Sequence, residues 1–460
     1  MSDDTWAPPG WQGEVGVGRR DITPPAGIRA KNWGAALTDV STGAHRPLTL
    51  TAVALRAGPD AEPVVLITAD LSVWRRAEDE WFVRGAVLQA HGLDATRVML
   101  HLVHTHASPS IHASEVDQPG GAGVPAYLAT LRDAAVAATG EALATCVPAS
   151  MTVATGRSSV AAIRDLPAGD RYVVGFNPQA RADDTLMVAR IAAAGDGRVL
   201  ATIVNYACHP TTLAWENTLV SADYVGGLRA IVEAGTEGAP CVFLQGASGD
   251  LAPREQYTGD TSVADRHGFA LGHAALGALQ TLPPPAHGLA LERIVESGAP
   301  LAVWRPRAAT WSRDIVADRT ELSVPVKPLP TFEELERRWA GIDAHARAER
   351  IHRAMDQRDN LPTGTTTTQP VWTWRLGDVV MVAQPGEAYS VFQRTLRDQV
   401  PEAAVFVLNL TNGHSLGYLP PLDAYDHDIY QVWQTAYGAG TLEQVTSHAL
   451  SRAKGLLSTR

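Results

Sequence analysis

Short β-rich apolar runs that stop abruptly at a polar or glycine-rich motif recur along this chain, and most lead into a helical stretch. "PVVLITADLS" (63–72) precedes "DEWFVRGAVLQAHG", and "RVMLHLVHTH" (97–106) precedes a Pro/Gly loop and the Ala-rich "YLATLRDAAVAATGEAL". The pattern returns at "RVLATIVNYACHP" (198–210), "PCVFLQGASGD" (240–250), "DVVMVAQPGE" (378–387) and "AAVFVLNLTNGH" (403–414). Alternation of this kind predicts an α/β fold. Open α/β sheets bind ligands beyond the carboxyl ends of their strands, so the polar ends of these runs are expected to converge on one crevice.

Length predicts one catalytic unit spanning 1–460 with embellishments. The least regular region, 285–365, reads as an insertion or lid within it. There "LPTFEELERRWAGIDAHARAERIHRAMDQRDN" has the pattern of a charged amphipathic helix and "PTGTTTTQP" that of an exposed loop. A net charge of −11, without clustered Lys and Arg, argues against nucleic acid or anionic lipid as partner and favours a small-molecule substrate. The opening "MSDDTWAPPG" lacks the basic and apolar regions of a signal peptide, and no apolar run reaches the roughly 18 residues of a membrane helix. A soluble, cytoplasmic protein without stable membrane association is therefore expected. Cys146, Cys208 and Cys241 are too few and too scattered for a disulfide framework or a zinc knuckle, and read as reduced core residues.

Three histidines fall within "HLVHTH". In an extended chain His104 and His106 would share a face and His101 would take the other. Such a pair serves either as a hydrogen-bonded turn or as metal ligands. His209, in "NYACHPTTL", again ends an apolar run, at a proline that stops the strand. Glu387, in "QPGEAYS", follows a glycine that permits a tight turn, and reads either as a helix-capping carboxylate or as an oxygen ligand. Zinc accepts three or four nitrogen and oxygen ligands of this kind, although the residues lack the local regularity of a H-E-x-x-H helix.

Several motifs together, in order along most of the chain, resemble the neutral, non-lysosomal ceramidase superfamily of zinc-dependent amidases. "GVGRRDITPP" looks like that family's Gly-x-Gly-x-x-Asp-Ile-Thr opening and "VHTHASP" like its His-Thr-His-Ser-Gly-Pro. "AIRD" with "FNP", "ACHPTTL", "SADYVGG", "GASGDLAP", "PGE" and "NGHSLGYLPPLDAYDHDIY" follow. The resemblance implies a mixed central sheet flanked by helices, with Zn2+ held at strand ends by His104, His209, Glu387 and Tyr418. It further implies that His106, Arg164 and Tyr430 face the scissile carbonyl. From the residues alone, Arg164 would pair with Asp165 or Asp170 at the surface, and Tyr418 would be an ordinary aromatic near a turn. Asp223 and Asp250 are candidates to support the metal-bound histidines.

The sequence departs from the family at three places. Before Tyr418 the chain is one residue longer than the Asn-x-Tyr-x-x-Tyr pattern. "GDLAP" puts Ala252 where ceramidases carry a serine. The resemblance also does not extend to the family's C-terminal immunoglobulin-like domain. The expectation is thus a zinc hydrolase that cleaves an amide in a small soluble molecule with zinc-activated water, rather than a ceramidase. Its alternatives are an esterase or lactonase, a ring-closing amide synthetase, or a metal-stabilised binding protein that has lost catalysis. Ser108 and Ser248 are the substitute nucleophiles to consider, and Trp304, Trp311, Trp339, Trp372 and Trp374 could line an apolar pocket.

Overall fold

The computed structural model describes residues 4–359, 361 and 364–458. An eight-stranded sheet is built from β1 (Gly10–Asp21), β2 (Thr49–Arg56), β3 (Val64–Ala69), β4 (Val98–Leu102), β5 (Val147–Arg157), β6 (Thr185–Ala193), β7 (Val199–Tyr206) and β8 (Cys241–Gln245). Its spatial order is β8-β7-β6-β5-β1-β2-β3-β4. Parallel pairing occurs at its two edges, β7 with β8 and β3 with β4, and the strands between are antiparallel. A four-stranded sheet consists of β9 (Ile315–Pro325), β10 (Thr366–Leu376), β11 (Val379–Ala383) and β12 (Ala404–Leu408) in that order, with β11 and β12 parallel.

Alternation along the strands decides the layering. In β2, Leu50, Ala52 and Ala54 enter one apolar cluster while Val53 and Leu55 enter another. In β11, Val379 and Met381 meet that second cluster, and Val380 and Val382 join a third. The two sheets therefore pack face to face through Trp11, Met99, Trp374 and Phe406. Each sheet needs helices on its outer face. On the large sheet these include α1 (Ala77–His91), α2 (Val124–Ala144), α3 (Tyr224–Ala234) and α4 (Thr261–Leu279), so the mixed central sheet is flanked by helices as expected.

The segment 285–365 is more ordered than its sequence suggests. His287–Glu296 and Pro300–Ala308 form a hairpin that pairs with Thr5–Trp6, and β9 is integral to the second sheet. The charged stretch forms two helices, α5 (Phe332–Arg338) and α6 (Ala344–Asp359), not one. Thr331 and Glu334 close a reciprocal capping box on α5, and the Asp343 carboxylate accepts the first N–H groups of α6 at 2.9 and 3.1 Å. The helices meet through Leu335, Trp339 and Ile351. Of the predicted loop "PTGTTTTQP", Thr366–Pro370 belongs to β10, because β9 supplies the ladder partners that β-branched threonines favour. Pro362 and Thr363 lie outside the described residues. After α7 (Ser390–Gln399) come the short α8 (Tyr430–Gln434) and α9 (Thr441–Leu457), and α7 and α9 cover the second sheet. Among the described residues no helix is long and apolar enough to cross a membrane.

Two buried amides lock the sheets into register. Asn205 on β7 donates to Leu244 O and Val407 O, both at 2.9 Å, and accepts from Arg397 Nη2 and Val407 N–H. All four of its hydrogen-bonding positions are filled, so it ties β7 and β8 to β12 across the two sheets. Asn412 bonds Leu100 N–H and Val98 O, covering the open edge of β4.

At the end of β3, buried Asp70 accepts both Arg229 nitrogens from α3, at 2.7 and 2.9 Å, and the Thr49 N–H at 2.7 Å. Removing one partner of a buried, bidentate ion pair strands the other charge. Asp70→Ala is expected to lower unfolding stability by about 3–5 kcal/mol in urea titration. A loss below about 1 kcal/mol would show that the pair is not holding α3 to the sheet.

Candidate metal centre

His104, His209 and Glu387 each sit just beyond a parallel strand pair. After β4 the chain turns, with Val103 N–H bonding Ala69 O at 3.1 Å and His104 N–H bonding Leu71 O at 2.9 Å. His104 has φ 72°, the left-handed region that a non-glycine residue seldom occupies. The simple strand alternation expected for the three histidines therefore fails: β4 ends at Leu102, and it is this kink that turns His104 inward. His101 is the true strand residue. It is fully buried, its Nδ1 lies 2.9 Å from Thr411 Oγ1, and its Nε2 accepts the Gln245 N–H at 2.8 Å. Burial pushes its pKa down to about 3, so it is a neutral structural histidine.

His209 follows β7, with its N–H on Leu251 O. Glu387 follows β11 through Gly386, where a Cβ would approach Gln384 Oε1, Leu419 and Gly417 O to within 3.0–3.2 Å. Glu387–Ala388 pairs in parallel with Tyr418–Leu419, placing Glu387 opposite Tyr418. This register brings the two oxygen-ligand candidates side by side despite the extra residue before Tyr418. The capping reading of Glu387 does not hold, since α7 begins at Ser390 and the carboxylate on its first N–H is that of Asp250, at 2.6 Å.

Two imidazoles and a carboxylate converge. His104 Nε2 lies 2.9 Å from His209 Nε2 and 3.1 Å from Glu387 Oε2, and His209 Nε2 lies 3.3 Å from that oxygen. Nδ1 of His104 faces Ser72 O at 3.2 Å, and Nδ1 of His209 faces Ser248 O at 3.0 Å. A nitrogen facing a carbonyl must carry the proton, which leaves the Nε2 lone pairs pointing at each other and at the carboxylate. One proton satisfies a single pair of these atoms, whereas a metal cation satisfies all three. The donors therefore fit a metal ion, and the supporting acceptors are backbone carbonyls rather than Asp223 or Asp250. Asp223 instead holds the N–H groups of Leu213 and Tyr224.

The electrostatics agree. Burial lowers the pKa of His209 to about 3, assisted by Arg164 and His104, and keeps it neutral for ligation. Burial would raise the Glu387 carboxyl, but with no metal ion present a proton carried by His104 or His209 outweighs it and holds the pKa well below the ordinary range, so the carboxylate is anionic. His106 Nε2 is 3.4 Å from His104 Nε2, and the ligand atoms of His104, His106 and His209 lie within 4.8 Å of one another. His106 is thus within reach of the same cation.

A cavity of about 160 Å³ opens onto the group, lined by His104, His106, Glu387, Tyr418 and Tyr430 among others. Arg164 does not line it. Its guanidinium is buried, donates twice to Gly249 O at 2.9 and 3.1 Å, and donates to Tyr418 Oη at 3.1 Å. The surface pair with Asp165 or Asp170 is absent among the described residues, and Tyr418 stands between Arg164 and the cavity. Burial opposes the Arg164 charge, yet Tyr418, Tyr257, Glu387 and Asp165 raise its pKa above the ordinary value. Tyr430 opens α8, its ring 5.8 Å from that of Tyr418, and its hydroxyl makes no hydrogen bond to the described residues.

Sequence spacing gave no sign of the aromatic wall around His106, where Trp33 lies 5.2 Å away and itself meets Trp215 and Tyr257. Among the expected tryptophans, Trp339 borders a cavity beside the site. Trp311, Trp372 and Trp374 are buried with their indole N–H on the carbonyls of Pro8, Ala95 and Thr96, and Trp304 is exposed on the hairpin. Ala252 pairs with Ala162 in the ribbon that carries Arg164, fully buried. Cys208 and Cys241 are buried free thiols, and Cys146 is half-buried.

No protein-family model and no curated protein matches the chain. Solved structures do match. A ceramidase complexed with C2 superposes on 98% of this chain and 76% of its own, with a TM-score of 0.68 and 17% identity. A neutral ceramidase from Pseudomonas aeruginosa covers 98% and 75%, with a TM-score of 0.66 and 17% identity. The fold is therefore neutral-ceramidase-like.

Elemental analysis of protein purified without chelator is expected to find about one transition metal per chain. His104→Ala and His209→Ala should each reduce it to background. Full metal content in either variant would show that the ion is held elsewhere.

Proposed function

We propose that this protein is a zinc-dependent hydrolase that cleaves an amide bond in a small soluble molecule. The observation that carries the reading is the convergence of two imidazole lone pairs and the Glu387 carboxylate on one point in a cavity of a neutral-ceramidase-like fold. Nitrogen and carboxylate donors suit zinc, and Tyr418, in register with Glu387, offers a further oxygen. When bound, zinc lowers the pKa of a coordinated water to about 7 and polarises a substrate carbonyl.

The chain's own groups divide the remaining work. Tyr430, with a hydroxyl free to donate into the cavity, stabilises negative charge that develops on the carbonyl oxygen. Arg164 acts through Tyr418: its fixed positive charge holds the phenol oxygen and favours negative charge there. His106 lines the cavity beside Trp33; burial holds its pKa well below the ordinary value, so the imidazole is neutral and placed to take the proton that the attacking water loses and pass it to the departing nitrogen. Side-chain nucleophiles are not required. Ser108 donates its hydroxyl to Pro109 O, and the Ser248 hydroxyl accepts from Gln245, both away from the cavity lining. An ester or lactone carbonyl would meet the same groups.

Assays of N-acyl amines, with and without chelator, test the reading. Metal-dependent amide turnover is expected, and a complete absence of it across the panel would overturn the proposal. Tyr430→Phe should keep its metal and lose about 100- to 1,000-fold in kcat. An unchanged rate would remove the oxyanion role. Rapid-quench mass spectrometry should show no acyl adduct on Ser108 or Ser248, and a kinetically competent adduct would replace direct attack by water with a two-step route.

A further inference from the structure

α6 packs Ile351, Ala354 and Met355 against Leu335 and Trp339 and turns a charged face to the cavities. Ala346, Glu349, Arg350, Arg353, Asp356 and Gln357 recur at helical spacing along this face. Its acids are already engaged: Glu349 with Lys31 at 3.0 Å and Asp356 with Arg76 at 3.5 Å. Nearby Arg338 is held by Asp428 at 2.6 Å. Arg350 and Arg353, by contrast, have no ion pair among the described residues. Arg353 donates to Asn32 O at 3.1 Å, and the Arg350 guanidinium sits 5.8 and 5.2 Å from the ring centres of Trp339 and Trp433.

These two arginines border a second cavity of about 600 Å³, which shares Arg353, Tyr430 and Gln434 with the cavity of the metal centre. Its aromatic wall includes Tyr172, Trp339 and Trp433. Burial, and then Arg171 and Arg338, press the pKa of Arg350 below its ordinary value against the opposing influence of Tyr430 and Asp428. An anion placed there would relieve this repulsion. The lining of this cavity sets Arg171, Arg338, Arg350 and Arg353 against Glu349 and Asp428 and is net positive in a chain of net charge −11. Two guanidinium forks match the planar geometry of a carboxylate.

We propose that the substrate is an amide bearing a carboxylate, of the N-acyl amino acid class, and that Arg350 and Arg353 bind the carboxylate while the scissile carbonyl lies at Tyr430 and His106. The inference rests on the amide-hydrolase reading for the position of the carbonyl, whereas the anion subsite stands on α6 itself. It makes Arg350 and Arg353 specificity determinants that leave the metal ligands untouched.

Calorimetric titration of the full chain with N-hexanoylglycine and N-hexanoyl-γ-aminobutyrate tests it, each against its uncharged primary amide, with metal-free protein as a parallel arm. At least one carboxylate is expected to bind about tenfold tighter than its neutral counterpart, with or without metal. Arg350→Gln/Arg353→Gln should bring the ratio close to one without changing the metal content. Equal affinities in the wild-type protein overturn the subsite, whether or not the variant folds. Tighter binding of N-hexanoyl-O-phosphoethanolamine than of either carboxylate overturns the carboxylate assignment. A charge preference without hydrolysis of any amide leaves the subsite standing and removes the hydrolase reading; hydrolysis without a charge preference does the reverse.

Discussion

Buried acceptor atoms repel one another, and this protein gathers three of them, His104 Nε2, His209 Nε2 and Glu387 Oε2, within 2.9–3.3 Å. Withdrawing even one uncompensated carboxylate from water costs several kcal/mol. The backbone adds to the cost, because a left-handed residue other than glycine, as at His104, is disfavoured by roughly 1–2 kcal/mol. Unfavourable backbone and unfavourable electrostatics at the same residue are expected where the surrounding structure maintains a functional geometry. A cation among the three acceptors would offset the electrostatic part, and the carbonyls of Ser72 and Ser248 leave both lone pairs available to one.

That requirement explains why the parallel strand pairs matter in a largely antiparallel framework. Each pair releases its two chains at the same end, and the loops after β4, β7 and β11 deliver His104, His209 and Glu387. The loop after β8 supplies the Ser248 carbonyl. The pairs belong to two sheets, so the separation between the sheets must be fixed as well. Asn205 does this with four hydrogen bonds, and the aromatic packing of Trp11, Trp374 and Phe406 sets the spacing. Stability of the sandwich and geometry of the site are therefore coupled through the same residues.

The apolar runs made the α/β class and the strand-end position of the candidate ligands legible, because a buried strand that stops at a polar motif has few other readings. The division into two sheets was not legible, since strands apolar on both faces look alike whichever sheet they join. Thr366–Pro370 looked like a loop because proline and threonine are common there, and only the pairing with β9 makes it a strand. The grouping of His104 with His106 was foreseen for the wrong reason. Strand alternation suggested it, but a left-handed turn achieves it. Tyr418 needed the register with Glu387. Trp33 and the arginines of α6 belong to no motif, and they reach the site only through tertiary packing.

The environment of Arg164 bears on whether such a centre holds a metal for structure or for chemistry. A structural ion needs ligands and backbone acceptors behind them, and the His104, His209 and Glu387 group already has these. Arg164 would add a second buried positive charge next to a cation bound there. Its hydrogen bonds go to a carbonyl and a phenol, not to a carboxylate. In a structural site this is a liability, because two positive groups in a low-dielectric interior repel and neither gains from the other. In a catalytic site it is useful: negative charge that develops in the cavity beside Tyr418 lowers the energy of both positive groups, and an amide carbonyl gains such charge on attack. Tyr418 lies between Arg164 and Glu387, and Tyr430 faces Tyr418 at the cavity wall. Arg164 thus lies behind Tyr418, one side chain removed from the cavity where an oxyanion would form, a placement that suits the proposed hydrolase better than a lapsed binding protein.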